Sequence, residues 1–332
     1  MYRLLLLVAA LAVPVVLSAA ADAHEMRPAY LALEETQPGE FSVLWKVPAM
    51  GDERLGLYVQ LPATCKPKAE PVRSIVDSAY MERWTALCAG GLKGQSITVD
   101  GLRATVTDAL ARIQYRGGSV EVARLTPESP GFVVAGSQPG WEVARTYLLL
   151  GVDHILSGYD HLLFVFALVL LIHDRWMLAK TITAFTLAHS VTLAGATLGY
   201  LSLPQKPVEA AIALSIAIVA SELIKTRSGQ RRLSENYPWL VAFAFGLLHG
   251  FGFAGALKET GLPQTDIPLS LLTFNLGVEA GQLLFVAAVL IAFRAIQTVV
   301  MVPLPQARLL AAYLIGTIAT FWLITRLAGF GA

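Results

Sequence analysis

Apolar residues follow three different rhythms along this chain, and each predicts a different kind of structure. After Met1-Tyr2-Arg3, positions 4–17 are apolar almost without interruption, and Ser18-Ala19-Ala20-Ala21-Asp22-Ala23 follow. A basic start, a short apolar run and small residues at a cleavage spacing predict a secretory signal peptide over 1–23, whose removal leaves His24 at the front. The run is shorter than the roughly 20 residues that cross a bilayer as a helix.

From 24 to 140 the rhythm is period two. Phe41-Ser42-Val43-Leu44-Trp45, Leu55-Gly56-Leu57-Tyr58-Val59-Gln60-Leu61, Ser96-Ile97-Thr98-Val99 and Gly131-Phe132-Val133-Val134 alternate in this way, separated by Pro48, Gly51-Asp52, Pro62 and Asp100-Gly101. Short alternating runs between turn residues predict a small exported β-sandwich. Beyond 141 the apolar stretches lengthen to 157–172, 177–200, 208–224, 239–257, 268–293 and 308–324. Each approaches or reaches bilayer length, so the segment 141–332 is predicted to be an all-α polytopic membrane domain of about six transmembrane helices. The fold class is therefore mixed.

Composition explains less than its distribution does. The 332 residues are 55% hydrophobic and 15% charged, with 25 Lys and Arg against 24 Asp and Glu for a net charge of +1. That balance excludes a basic nucleic-acid binder, and the apolar content excludes disorder. The charges are sided. Arg175, Lys180, Lys225, Arg227, Arg231, Arg232, Arg294 and Arg308 fall in one set of connections, while the opposite set holds Lys206 and Lys258, with Arg326 near the C-terminus. With the N-terminal domain exported, the basic connections face the cytoplasm, which satisfies the positive-inside rule. The expected location is the bacterial inner membrane, multi-pass, with the N-terminal domain in the periplasm. The chain's two cysteines, Cys65 and Cys88, both fall in the exported domain without a CxxC spacing, and an oxidising compartment predicts a disulfide.

Candidate chemistry lies in the apolar half. Five of the six histidines occur between Gly151 and Gly250, where an ionisable side chain is costly and by default marks a site or a pathway. Asp153-His154 and Asp160-His161 are two Asp-His pairs, and on a continuous helix they would share one face with Ser157 within an arc of about 120°. Seven residues of helix span roughly 10 Å, so two successive stations, outer and inner, are expected. His189 lies beside Thr186 and Ser190, and His249 sits in Phe245-Gly246-Leu247-Leu248-His249-Gly250-Phe251-Gly252. Asn275, Glu279 and Gln282 form a polar stripe on another apolar run. Four spans thus place His161, His189, His249 and Glu279 at similar depth. Imidazoles with carboxylates suit divalent first-row metals such as Ni, Co or Zn. Alternatively, individual histidines hydrogen-bond across helices, as His189 would to Thr186 or Thr192. Gly246-x-x-x-Gly250 reads as a close-packing motif that also brings the His249 ring to neighbouring helices. Glu222 reads as a charge near the cytoplasmic surface, and His24 offers an N-terminal chelate if cleavage exposes it.

The chain resembles the HupE/UreJ family, in the branch with an exported N-terminal domain. The resemblance rests on His24-Glu25-Met26-Arg27-Pro28-Ala29-Tyr30-Leu31, on Leu150 to Phe164, on Lys180 to Ser190, on Phe245 to Ala254 and on Phe274 to Gln282. It implies a nickel or cobalt permease associated with hydrogenase or urease maturation, with a periplasmic or maturation partner. Asp153, His154, Asp160, His161, His189, His249 and Glu279 are then the expected metal ligands, supported by Ser157, Ser190, Asn275 and Gln282. Two alternatives stand beside it. One is an intramembrane hydrolase holding Zn between three histidines, with a water activated beside Asp160 or Glu279. The other is a membrane anchor that displays the exported domain. No Gly-rich nucleotide-binding motif occurs.

Overall fold

The computed structural model describes residues 28–50, 53–76, 79–136, 139–225, 236–259, 267–299 and 304–330. The expected signal peptide over 1–23 and His24 lie outside the described residues, as does most of the basic connection after Lys225. Residue packing separates a β-rich unit ending at Thr146 from a helical unit that starts at Tyr147.

Among the described residues of the β-rich unit, eleven strands run as β1 (Ala29–Gln37), β2 (Glu40–Met50), β3 (Glu53–Arg54), β4 (Tyr58–Gln60), β5 (Cys65–Pro67), β6 (Val72–Val76), β7 (Ala79–Cys88), β8 (Ser96–Asp100), β9 (Ala109–Gln114), β10 (Val120–Leu125) and β11 (Gly131–Val133). The larger sheet is ordered β10-β9-β1-β2-β7-β5, with β3 added to β2 and β6 to β7, and the smaller is β11-β8-β4. β1 pairs antiparallel with β2 but parallel with β9. Period-two alternation sends Leu31, Leu33, Phe41, Val43, Trp45 and Val47 to one face, where they share a buried core with Ile97 and Val99 of the smaller sheet. Trp45 keeps its polar handle satisfied by donating Nε1–H to the Leu57 carbonyl at 3.3 Å.

The last strand is tied down by a buried carboxylate. Glu121 of β10 accepts the N–H groups of Ala135 at 2.7 Å and Gly136 at 2.9 Å, and the hydroxyl of Tyr115 at 3.2 Å. Burial, then the neighbouring Glu121 charge, push the Tyr115 phenol well above its ordinary pKa. Cys65 and Cys88 face each other across β5 and β7 and form a disulfide that closes a loop with a sequence separation of 23. Replacing both cysteines by alanine should destabilise this unit by about 3 kcal/mol. The test is thermal melting with and without reductant, and a melting temperature insensitive to reduction would count against it.

Among the described residues, seven α-helices follow the strands: α1 (Gly140–Ser157), α2 (Tyr159–Leu171), α3 (Arg175–Thr197), α4 (Gln205–Lys225), α5 (Pro238–Glu259), α6 (Ile267–Val299) and α7 (Leu304–Ala328). Asp174 caps α3 by accepting the backbone N–H groups of Trp176 and Met177 at 3.3 and 3.1 Å. By length and apolar composition, three described helices can cross a membrane, within α4, α6 and α7, or four if the bent pair α1–α2 is one span. Pro238–Gly252 of α5 is a shorter apolar stretch. The expected six spans are therefore met only in part. Lys180 and His189 chiefly explain why α3 falls short, since they lower its hydropathy most, and Thr181, Thr186, His189 and Thr192 are buried. The 33 residues of α6 extend about 50 Å, longer than an apolar bilayer core.

Small residues set the helix spacing. A Cβ built on Gly277 of α6 would collide with the Leu148 carbonyl and stand 3.1 Å from the Gly151 Cα of α1, so these helices touch backbone to backbone. A second apolar core fills the space among α2, α3, α4 and α7 around Phe164, Phe185, Ile216, Val219 and Ile315.

Candidate metal centre

The two Asp-His pairs do not share a continuous helix. At Gly158 the chain leaves α1 and restarts as α2 with a bend of 73°, and Gly158 itself has extended backbone geometry. A Cβ there would lie 2.7 Å from the His154 carbonyl oxygen and 2.9 Å from His161 Nδ1, so only glycine leaves room for the imidazole that follows. This break corrects the expectation of two stations about 10 Å apart. The His154 and His161 ring centroids are 4.8 Å from each other, in one cluster.

Two more helices complete the cluster. His249 of α5 places its ring 5.0 Å from that of His161, and His189 of α3 lies 6.2 Å from His161 and 6.1 Å from His154. His154, His161 and His189 each present one ring nitrogen, and these three atoms lie within 4.8 Å of one another. His161, His189 and His249 are at most 1% exposed. Phe185 stacks on His189 and meets His249 edge-on, Phe164 lies 5.5 Å from His249, and Phe274 lies 5.6 Å from His154. Aromatic rings therefore wall off a small polar centre.

Hydrogen bonds fix which nitrogens face inward. His249 Nδ1 is 2.9 Å from the Phe245 carbonyl oxygen, which can only accept, so Nδ1 carries the proton and Nε2 keeps its lone pair. His189 Nδ1 is 3.2 Å from Asn275 Oδ1. The Asn275 amide is oriented by donating Nδ2–H to the Leu271 carbonyl at 2.8 Å, which leaves Oδ1 as acceptor and again puts the proton on His189 Nδ1. Nε2 of His189, Nε2 of His249 and both nitrogens of His161 are buried without a hydrogen-bond partner among the described residues. Buried polar atoms seldom remain so without reason, and lone pairs presented by oriented imidazoles are what a first-row metal ion requires.

The carboxylates and remaining polar candidates have hydrogen-bonding partners of their own. Asp160 is buried but pairs with Arg326 of α7, Nη2 to Oδ2 at 2.9 Å. Glu279 accepts a hydrogen bond from the Thr183 hydroxyl at 2.6 Å, and Gln282 accepts one from Thr186 at 3.1 Å. Asp153 lies near the end of α1, half-buried, and its carbonyl accepts the Ser157 hydroxyl at 2.7 Å. Ser190 likewise returns its hydroxyl to its own helix, at Thr186 O. Of the residues expected to bind metal, the four histidines converge. The compact group of ligand atoms found among the described residues contains no carboxylate.

Sequence reasoning missed Arg326, which it counted only as a charge near the C-terminus. The available signal was an arginine in the apolar run Trp322-Leu323-Ile324-Thr325-Arg326-Leu327, since an intramembrane charge calls for a named partner.

A family model described as HupE / UreJ protein matches residues 133–326, more than half of the 332-residue chain. The chain belongs to the HupE/UreJ family. The matched span holds every histidine of the cluster, Asn275 and Arg326, so the geometry described here lies within the HupE/UreJ portion. Comparison with curated protein sequences finds no match.

Asn275 gives a direct test of how this HupE/UreJ site is oriented. Asn275→Leu removes the acceptor that sets the His189 tautomer, and Co²⁺ affinity should fall about 10–100-fold. Titration of Co²⁺ visible absorption measures the change; an affinity within a factor of about two of the parent would show that Asn275 does not orient the ring.

Proposed function

We propose that this HupE/UreJ protein is a membrane permease for a divalent transition metal, Ni²⁺ or Co²⁺, and that His154, His161, His189 and His249 form its cargo site. The observation that carries the reading is the set of imidazole nitrogens of His161, His189 and His249 that are buried without a hydrogen-bond partner among the described residues, close to the His154 ring. Neutral imidazoles without a thiolate suit Ni²⁺, Co²⁺ or Zn²⁺ better than a soft monovalent ion. The membership of a family associated with nickel and cobalt handling narrows the cargo to the first two.

In this reading six spans cross the inner membrane, with the bent α1–α2 pair as the first, and the disulfide-bonded β-rich domain stands in the periplasm. Its role there is to receive the metal or to dock a maturation partner. Arg175, Lys180, Arg294 and Arg308 then face the cytoplasm in accord with the positive-inside rule. A membrane potential of about 100 mV, negative inside, would draw a doubly charged ion inward with roughly 4.6 kcal/mol.

The experiment is metal accumulation by purified protein in liposomes, with Ni²⁺, Co²⁺, Zn²⁺ and Cu²⁺ offered separately under an imposed potential. The expected result is saturable uptake of Ni²⁺ or Co²⁺ above protein-free liposomes. No uptake of any of the four ions overturns the permease reading.

A further inference from the structure

We propose that Arg326 is a positioning residue that withholds the Asp160 carboxylate from the cargo ion, so that the ion meets four neutral imidazoles and can leave them again. The inference rests on the four histidines being the metal site. Asp160 immediately precedes His161 in the first turn of α2, and its side chain is 7% exposed. A buried carboxylate one residue from a metal ligand is itself suited to binding a first-row divalent ion. Here it is committed elsewhere.

The commitment is built from three sides. Arg326 Nη2 bonds Asp160 at 2.9 Å, Nη1 donates to the Glu209 carbonyl of α4 at 2.9 Å, and the guanidinium carbon lies 5.7 Å from the Trp322 ring centre on its own helix. A planar guanidinium held this way fixes the carboxylate in direction as well as charge, which a lysine ammonium does less well. The pair is electrically neutral as a unit. A permeation site must bind its ion well enough to admit it and weakly enough to release it. An additional carboxylate at low dielectric would favour the first requirement against the second.

Removing the guanidinium therefore has an unusual consequence. A lost structural ion pair should loosen the helices and weaken metal binding together with transport. An unpaired Asp160 beside His161 should instead gain the metal as its best available partner, so that affinity rises while turnover falls.

The test compares wild type, Arg326→Gln, Arg326→Lys and the double variant Asp160→Asn/Arg326→Gln as purified full-length protein. Co²⁺ affinity is read from visible absorption, and Co²⁺ uptake from liposomes loaded with each protein. Arg326→Gln is expected to bind Co²⁺ about tenfold or more tightly and to transport it more slowly by a similar factor. Arg326→Lys should lie nearer wild type, because its charge is kept. The double variant should return to wild-type affinity, because no carboxylate remains beside His161 and replacing both partners of a buried pair is often tolerated. Unchanged or weaker binding by Arg326→Gln, or a double variant that binds as tightly as the single, overturns the proposal. Should Arg326→Gln fail to fold, tighter binding or loss of binding in the double variant overturns it alone. A wild-type protein with no Co²⁺ signal overturns the metal-site reading itself, and a wild-type signal with unshifted Arg326→Gln affinity overturns only the role of Arg326.

Discussion

His161→Ala is expected to reduce metal uptake to the level of protein-free liposomes and to abolish the Co²⁺ absorption signal. His161 is the hinge of the cluster, with ring contacts to His154 at 4.8 Å and to His249 at 5.0 Å. Both of its nitrogens are buried without a hydrogen-bond partner among the described residues. Its removal takes away the ring that stands within 5.0 Å of both His154 and His249. The loss should not come from misfolding. His161 makes no hydrogen bond among the described residues whose loss would orphan a partner, and the cavity left by an imidazole in a wall of Phe164 and Phe185 costs a few kcal/mol at most. His173→Ala is the control, because His173 is exposed and meets the Arg308 guanidinium at 2.9 Å away from the cluster. Uptake unchanged in His161→Ala, with the protein intact by gel filtration, would remove the four-histidine site as the route.

The polar positions of the membrane half were legible in sequence because apolar surroundings expose them. His154, His161, His189 and His249 stand out in long apolar runs, and each was brought to the cluster. Their exact company was not legible, because helical periodicity holds only while the helix continues. Gly158 interrupts it, and the carbonyl of His154 and ring of His161 crowd the space a side chain would need there. Spacing along a continuous helix then predicted two stations where the bend forms one. The carboxylates went the other way for a related reason. Asp160 and Glu279 lie at suitable positions along the chain, yet Arg326 and Thr183 claim them from helices far away in sequence. A zinc hydrolase would need such a carboxylate beside its water, and each of these already has a partner. In the β-rich unit, alternation identified the inward residues of β2 and β8, whereas the parallel pairing of β1 with β9 depends on a long connection that local pattern does not encode.

Gly246→Ala/Gly250→Ala is expected to cost at least about 1–3 kcal/mol of stability and to remove most metal uptake. Both glycines lie on the face of α5 that meets α3. A methyl group on Gly246 would stand 3.0 Å from the Ala188 Cβ and the Phe185 Cα, and one on Gly250 would stand 2.5 Å from the His189 carbonyl oxygen and 3.1 Å from the Thr192 Cβ. These neighbours include helix backbone, which cannot rotate aside as a long side chain would, so the helices must separate. The consequence falls on the site because His249 sits between the two glycines and His189 supplies one of the clashing carbonyls. Moving α5 outward withdraws the His249 ring from His161 at the same moment that it disturbs the turn carrying His189. Gly316→Ala on α7 gives the contrast, since its nearest neighbour would be the Ala220 Cβ at an ordinary 3.5 Å. That variant should melt and transport like the parent. If the paired α5 substitutions melt earlier but transport normally, helix spacing matters to stability alone and the cluster tolerates a displaced His249. If they do neither, the close approach of α3 and α5 is not what assembles the metal centre.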